Sequence, residues 1–196
     1  TTAAEARALA ERTPVTVLLT HSVHGNEPAG FEASMQTAYQ LLASDEPATL
    51  EILRNVVVLI NPSQNPDGHE RFAAWSNSVA TGTDDPAAVE QTEPWAIWGR
   101  FNHYRFDMNR DLLAQSQAES KALASVYVRW RPQVVADLHS TTSQYFFPPV
   151  AQAQNQNLPA RTYGWFERFG RRNGQAFDGF SWQYYVRDVF DFFYPG

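Results

Sequence analysis

His24 and Glu27 stand three residues apart on the turn Thr20-His21-Ser22-Val23-His24-Gly25-Asn26-Glu27-Pro28. That turn follows an apolar, β-branched run and feeds a helix at Pro28. The spacing can bring an imidazole and a carboxylate to one point. His139 directly follows another apolar run and could complete a His₂Glu set. Catalytic zinc sites use three such protein ligands and keep a fourth position for water. The metal lowers the pKa of that water and polarises a carbonyl. Other divalent ions also accept a His₂Glu set.

Each half also has an ordinary structural reading. His-x-x-Glu arises as a capping glutamate beside a surface histidine, and a lone histidine at a strand end is usually structural. His21 could compete with His24 but lies nearer the strand and lacks a glutamate three residues on. His69 and His103 fall in loop-like sequence, where most histidines are solvated. The chain has no His-Glu-x-x-His helix, no nucleophile elbow and no Gly-rich phosphate loop. It has no cysteine, which excludes a disulfide framework, a thiol nucleophile and a cysteine-ligated metal.

Three apolar runs must position these residues: Val15–Leu19 (VTVLL), 55–60 (NVVVLI) and 133–138 (QVVADL). None alternates cleanly, as expected of strands covered on both faces. In open α/β sheets, ligands gather at the carboxyl ends of strands, where His24, Glu27 and His139 fall. Helical patterns separate the runs. From Pro28, Phe31, Met35, Ala38 and Leu42 recur on one face. A second helix is predicted from Ser116, with Ser116 and Glu119 as a capping box and Pro132 as its stop. A third spans Tyr163 to Asn173 and ends at Gly174, a suitable C-cap. Residues 61–110 are rich in turn signals and read as a long functional loop region. The reading is α/β: a mixed, mainly parallel sheet flanked by helices on both faces, in a single domain spanning residues 1–196.

The bulk numbers agree. The chain has 196 residues, 43% hydrophobic and 14% aromatic, enough to bury a core. Formal net charge is −6 and no basic stripe is present, so nucleic acid is not an expected partner. No apolar run approaches the roughly 20 residues that span a bilayer. The first residues form a polar, alanine-rich helical stretch, not a signal peptide. Oligomeric state does not follow from the sequence. Half of the residues from Phe177 to Tyr194 are aromatic and need something to pack against.

Four motifs occur in order: HGNEPAG (24–30), NPDG (65–68), RFNHYRFDMNR (100–110) and DLHS (137–140). Together they resemble the zinc carboxypeptidases of the carboxypeptidase A type, peptidase family M14, over roughly residues 14 to 150. The resemblance implies Zn²⁺ held by His24, Glu27 and His139, with Asp107 orienting His24. It implies Arg100, with Arg105 as its neighbouring alternative, as the arginine that stabilises the oxyanion. Asn109 and Arg110 would bind the free carboxylate of a substrate, and Ser140 would line the cleft. Against these stand a pairing of Arg110 with Asp111 and a turn-capping Asp107. The implied activity is hydrolysis of a C-terminal peptide bond. Two alternatives stay open: an amidohydrolase of N-acyl amino acids, and a non-catalytic zinc- or peptide-binding module. Either substrate class is a peptide or acyl amino acid with a free carboxylate. The motif style implies a secreted or periplasmic setting.

The sequence departs from the family pattern in two places. Asn26 stands where animal digestive members have arginine, a form shared with many bacterial relatives. The family's general base is a glutamate on a late strand, and the only glutamate after His139 is Glu167, which reads as a solvated helix residue. The family's pocket tyrosine has no clear counterpart, Tyr194 being one candidate. The expectation is the central part of a longer catalytic domain, with strands missing at one or both ends and the general base absent.

Overall fold

The β-branched run at the start of the chain forms the central strand of a sheet. In the computed structural model, which describes residues 2–82, 85, 87–140, 144–149 and 157–187, the chain divides into two compact units, Thr1–Ser140 and Thr141–Gly196. The first unit contains α1 (Ala3–Ala10), β1 (Val15–His21), α2 (Pro28–Ala43), α3 (Pro47–Asn55), β2 (Val56–Asn61), α4 (Pro66–Val79), α5 (Ala118–Trp130) and β3 (Val134–Leu138). Its strands pair in the order β2-β1-β3, all parallel. Register runs from Val15 opposite Val56 to Thr20 opposite Asn61 on one side. On the other it runs from Val17 opposite Val134 to His21 opposite Leu138. The first connection leaves β1 in one direction and the next returns across it to β3. Right-handed crossovers then place the connecting helices α2 and α5 on opposite faces. The point where the connections diverge lies between the carboxyl ends of β1 and β3, where α/β sheets bind ligands.

Several local expectations change. The predicted apolar face of α2 is not its buried face: Gly30 and Ser34 are buried, whereas Met35 is 59% and Leu42 89% exposed. The helix approaches the strands through small residues, and a Cβ at Gly30 would already touch the His21 ring and the Leu138 carbonyl. Residues 66–79 are helix α4, not loop. Pro66 is at its start, and the Asn65 side chain accepts the Gly68 N–H. Helix α3 also went unread.

The capping box at Ser116 does not form. Helix α5 begins two residues later, with Gln117 at its N-cap and no side-chain cap. The reason is Asp111, whose carboxylate takes the Ser116 N–H and hydroxyl and the Gln117 N–H, while Glu119 turns towards Asn102. The helix ends as expected before Pro132, with Arg131 left-handed at φ 45°, a residue that Pro132 keeps out of the helical region.

In the second unit, α6 (Ala160–Gly179) runs through Gly174 instead of stopping there. A Cβ at Gly174 would come 2.7 Å from the Tyr184 hydroxyl oxygen, so glycine there serves close packing, not a cap. β4 (Tyr145–Phe146) pairs in parallel with β5 (Tyr184–Tyr185). The described part of the aromatic tail packs within this unit: Phe177 meets Tyr145, Trp182 and Tyr184 edge-on. Tyr194 lies outside the described residues. No helix among the described residues is long and apolar enough to cross a membrane.

The deepest burial belongs mainly to polar side chains. Leu18 and Met108 are buried, but so are His21, Ser22, His24, Glu27, Asn65 and Asn102. Buried polar groups are tolerated when hydrogen-bonded, and most of these meet at the carboxyl end of the sheet.

Candidate metal centre

After His21 the chain turns at Ser22, whose φ of 53° is left-handed. The Ser22 hydroxyl donates to the Glu27 carbonyl at 3.1 Å, and the Glu27 N–H donates to the His24 carbonyl at 3.1 Å. This closed turn puts the His24 and Glu27 side chains together at the start of α2. β3, pinned to β1 by their pairing, delivers His139 from 112 positions further along.

The three side chains converge, each offering a ligand atom within 4.8 Å of the others. Glu27 Oε1 lies 2.6 Å from His24 Nδ1, and Oε2 lies 3.0 Å from His139 Nδ1. The Ser140 N–H donates to the same Oε2 at 2.9 Å. The other ring nitrogens face outer carboxylates: His24 Nε2 is 3.2 Å from Asp107 Oδ1, and His139 Nε2 is 3.4 Å from Asp137 Oδ2. Outer carboxylates of this kind fix the ring orientation of metal-bound histidines. His24 and Glu27 are buried, while the His139 side chain keeps 27% of its exposure.

Burial alone would raise the Glu27 carboxyl; hydrogen bonds from His139, His24 and the Ser140 N–H outweigh it and hold the group well below its usual range. Burial likewise disfavours charge on both histidines. It is outweighed at His139 by Asp137 and Glu27, and at His24 by Asp107 and Glu27, so both are raised. Asp107 is lowered to about 2, its burial overcome by His24 and Arg100. Two imidazole nitrogens and one carboxylate directed at one point, backed by outer carboxylates, fit a divalent ion with an open fourth position.

The flanking residues sort by contact. Arg100 Nε and Nη2 donate to Asp107 Oδ2 at 2.9 and 2.8 Å, and Nη1 lies 3.4 Å from His24 Nδ1. Arg105 instead donates to the Ile97 and Ala96 carbonyls and braces the loop. Asp107 both meets His24 and caps the short 3₁₀ turn Met108–Arg110, accepting the Asn109 N–H at 3.0 Å. Arg110 is exposed, with Nη1 on the Asn109 carbonyl. Asp111 is not its partner, because the Ser116 and Gln117 donors occupy that carboxylate. Ser140 contributes its N–H to Glu27, and its hydroxyl is buried without a partner among the described residues. His69 is not solvated: it sits on α4, 3.0 Å from the Gly25 carbonyl and stacked on Phe31.

A sequence profile described as zinc carboxypeptidase matches residues 3–189. The chain belongs to the zinc carboxypeptidase family. It is similar to proteins named carboxypeptidase 2 from Trichophyton tonsurans and Trichophyton rubrum, each 25% identical over 184 residues. These matches cover 87% of this chain but 29% of the relatives, so the chain spans less than a third of their length. Among solved structures, the carboxypeptidase A of Helicoverpa armigera has the same fold. It matches with a TM-score of 0.56 and 18% identity, over 90% of this chain and 46% of that one.

Three glycines that sequence reading passed over lock the site loops together. A Cβ on Gly25 would fall 2.1 Å from the His69 nitrogen, one on Gly68 2.2 Å from the Gly99 oxygen, and one on Gly99 2.7 Å from the Gly68 oxygen. Asn65 joins the same loops, donating to the Val23 and Arg100 carbonyls. Asn102 accepts the Tyr104 and Phe106 N–H groups and donates to Gln117. Gly25, Gly68, Asn65 and Asn102 lie inside the motifs, which was the available signal; Gly99 lies just outside, next to Arg100.

Proposed function

We propose that this chain forms the zinc centre of a metallocarboxypeptidase that hydrolyses the C-terminal peptide bond of a substrate bearing a free carboxylate. The observation that carries this is the convergence of His24, Glu27 and His139 within 4.8 Å, with Asp107 and Arg100 directly behind His24. Zinc held by those three residues would supply a Lewis acid that polarises the scissile carbonyl and acidifies a water.

The remaining chemistry rests on side chains. Asp107 holds His24 with Nδ1 facing the centre and anchors Arg100 by two donors. Arg100 Nη1 stays on the triad side, placed to meet negative charge developing on the carbonyl oxygen; such fixed donors stabilise an oxyanion strongly. Arg110 presents an exposed guanidinium, a planar fork that suits a carboxylate in two hydrogen bonds, with Asn109 beside it. Ser140 supports the site by fixing Glu27 and flanks the cleft. Glu167 is not the general base in this reading, since its carboxylate is 2.8 Å from Arg187. The chain in this reading binds zinc and hydrolyses peptides weakly or not at all.

Metal content of the purified chain beside His139→Ala tests the centre: one zinc per chain, lost in the variant, is expected. Zinc-free protein after incubation with the ion, or unchanged content in the variant, would refute it. A peptide panel beside N-acyl amino acids, at saturating zinc, separates carboxypeptidase from amidohydrolase. Turnover of about 1 s⁻¹ or more, an ordinary enzyme rate, would refute the missing base.

A further inference from the structure

Glu93 lies outside every motif and outside the residues already given a role. Its half-buried carboxylate accepts the Asn26 side-chain amide at 2.8 Å through Oε2, and the Gly99 peptide N–H through Oε1. Asn26 sits between His24 and Glu27 in the metal turn, and Gly99 immediately precedes Arg100. The two donors lie on adjoining surfaces, since a Cβ on Gly99 would stand 3.4 Å from the Asn26 Cβ. One carboxylate thus bridges the turn that bears two of the three converging ligands and the peptide that launches the arginine.

We infer that Glu93 is a positioning residue: through Asn26 and Gly99 it sets the distance between the Arg100 guanidinium and the His24–Glu27 turn. This rests on the role given to Arg100 above. An arginine has a long, flexible stem, and two fixed points are needed to aim it. Asp107 fixes the tip, by the two contacts to Nε and Nη2. Glu93 fixes the root, one peptide away. The surrounding loop has its own braces, but they act elsewhere: Arg71 donates to the carbonyls of Ile97, Phe101 and Asn102. Those hold the loop against α4; Asn65 ties the Arg100 carbonyl to Val23, ahead of His24, and Glu93 ties the residue before Arg100 to Asn26, between the two ligands of the turn. A carboxylate suits the task because it offers two acceptors in one plane to two donors from different segments.

The test uses the whole chain labelled with ¹⁵N and reads hydrogen exchange at the Arg100 Nε–H, assigned by its disappearance in Arg100→Lys. Glu93→Ala and Asn26→Asp each accelerate that exchange about tenfold, the factor expected for one lost hydrogen bond. The double variant Asn26→Asp with Glu93→Gln reverses the polarity of the pair. Its new amide donates to the new carboxylate and its carbonyl oxygen still takes the Gly99 N–H, so exchange returns to within about threefold of wild type. Glu93→Gln alone also exchanges like wild type, because the Asn26 amide can turn over to accept.

Wild-type exchange in Glu93→Ala would overturn the inference. So would a double variant as fast as Asn26→Asp alone, or a Glu93→Gln as fast as Glu93→Ala, which would make charge and not geometry the cause. Zinc content is scored separately. A wild-type chain that holds no zinc after incubation with the ion defeats the functional reading, while the exchange pattern still decides the role of Glu93.

Discussion

Replacing Gly25 with alanine places one methyl group between the metal turn and the start of α4. Its Cβ would lie 2.1 Å from the His69 nitrogen, 2.2 Å from the Gly68 carbonyl carbon and 2.7 Å from the Gly99 oxygen. All three are backbone atoms, so no rotamer change relieves the overlap. The turn has to withdraw from α4 by about 1 Å to reach ordinary packing distances. Withdrawal breaks the contact from His69 Nδ1 to the Gly25 carbonyl and the bond from Asn65 to the Val23 carbonyl. Overpacking costs about 1–3 kcal/mol, and each lost hydrogen bond about 1 kcal/mol. The sum is about 3–5 kcal/mol, which lowers the melting temperature of a unit this size by about 10 °C. The same shift misplaces His24 and Glu27 relative to His139, so zinc affinity falls by about 10–100-fold, the loss usual when ligand orientation is disturbed. Thermal unfolding by circular dichroism and zinc competition with a chromophoric chelator measure the two effects. Gly164→Ala is the control: a Cβ there meets nothing within 4 Å, and alanine inside a helix is worth about 0.5–1 kcal/mol over glycine. A Gly25→Ala chain that melts within about 2 °C of wild type and keeps its zinc affinity would refute the interlocked-loop account.

Asp107→Ala removes the partner of both His24 and Arg100, so zinc affinity in the same chelator assay drops by about 10–100-fold. Arg110→Ala, assayed on any substrate the chain cleaves, raises KM by about 10–100-fold with little change in kcat, as expected for losing a hydrogen-bonded charge that binds ground and transition states alike. Asp111 sets an acid limit. Its burial favours the neutral acid, but hydrogen bonds from the Ser116 hydroxyl and from the N–H groups of Gln117 and Ser116 prevail and hold it well below the usual carboxylate range. A depressed folded pKa contributes stability that is complete above the unfolded value and is lost as pH falls through the folded one. Asp111→Asn therefore lowers the urea midpoint at pH 7 and loses less than wild type between about pH 4 and pH 2; parallel acid limbs would count against this.

The strands and the three converging residues were legible because their signals are local. β-branched runs gave β1, β2 and β3 to within two residues, and His24, Glu27 and His139 sit where those strands end. What escaped depended on partners far away in sequence. The face of α2 was misread because Gly30 and Ser34, not Met35 and Leu42, suit close approach to the sheet. Helix α4 was hidden by Pro66 and Gly68, which look like turn residues but begin a helix that packs by its glycine. The start of α5 moved because Asp111, from outside the helix, took the donors that a local capping box would have used. Glu93 gave no sign at all, since a single glutamate in a turn-rich stretch is ordinary until its two partners are seen.

The pairing of β1 with β3 also dictates when the site exists. His24 and Glu27 are neighbours in the chain, but His139 joins them only when a parallel ladder closes between distant segments. Contacts of such long range carry a large loop-closure cost and form late in folding. A nascent or partly folded chain therefore has only the His24–Glu27 pair, and the third residue arrives with the finished sheet. For the zinc centre proposed above, tight uptake would thus report on folding, because the set is complete only in molecules whose β3 is in register.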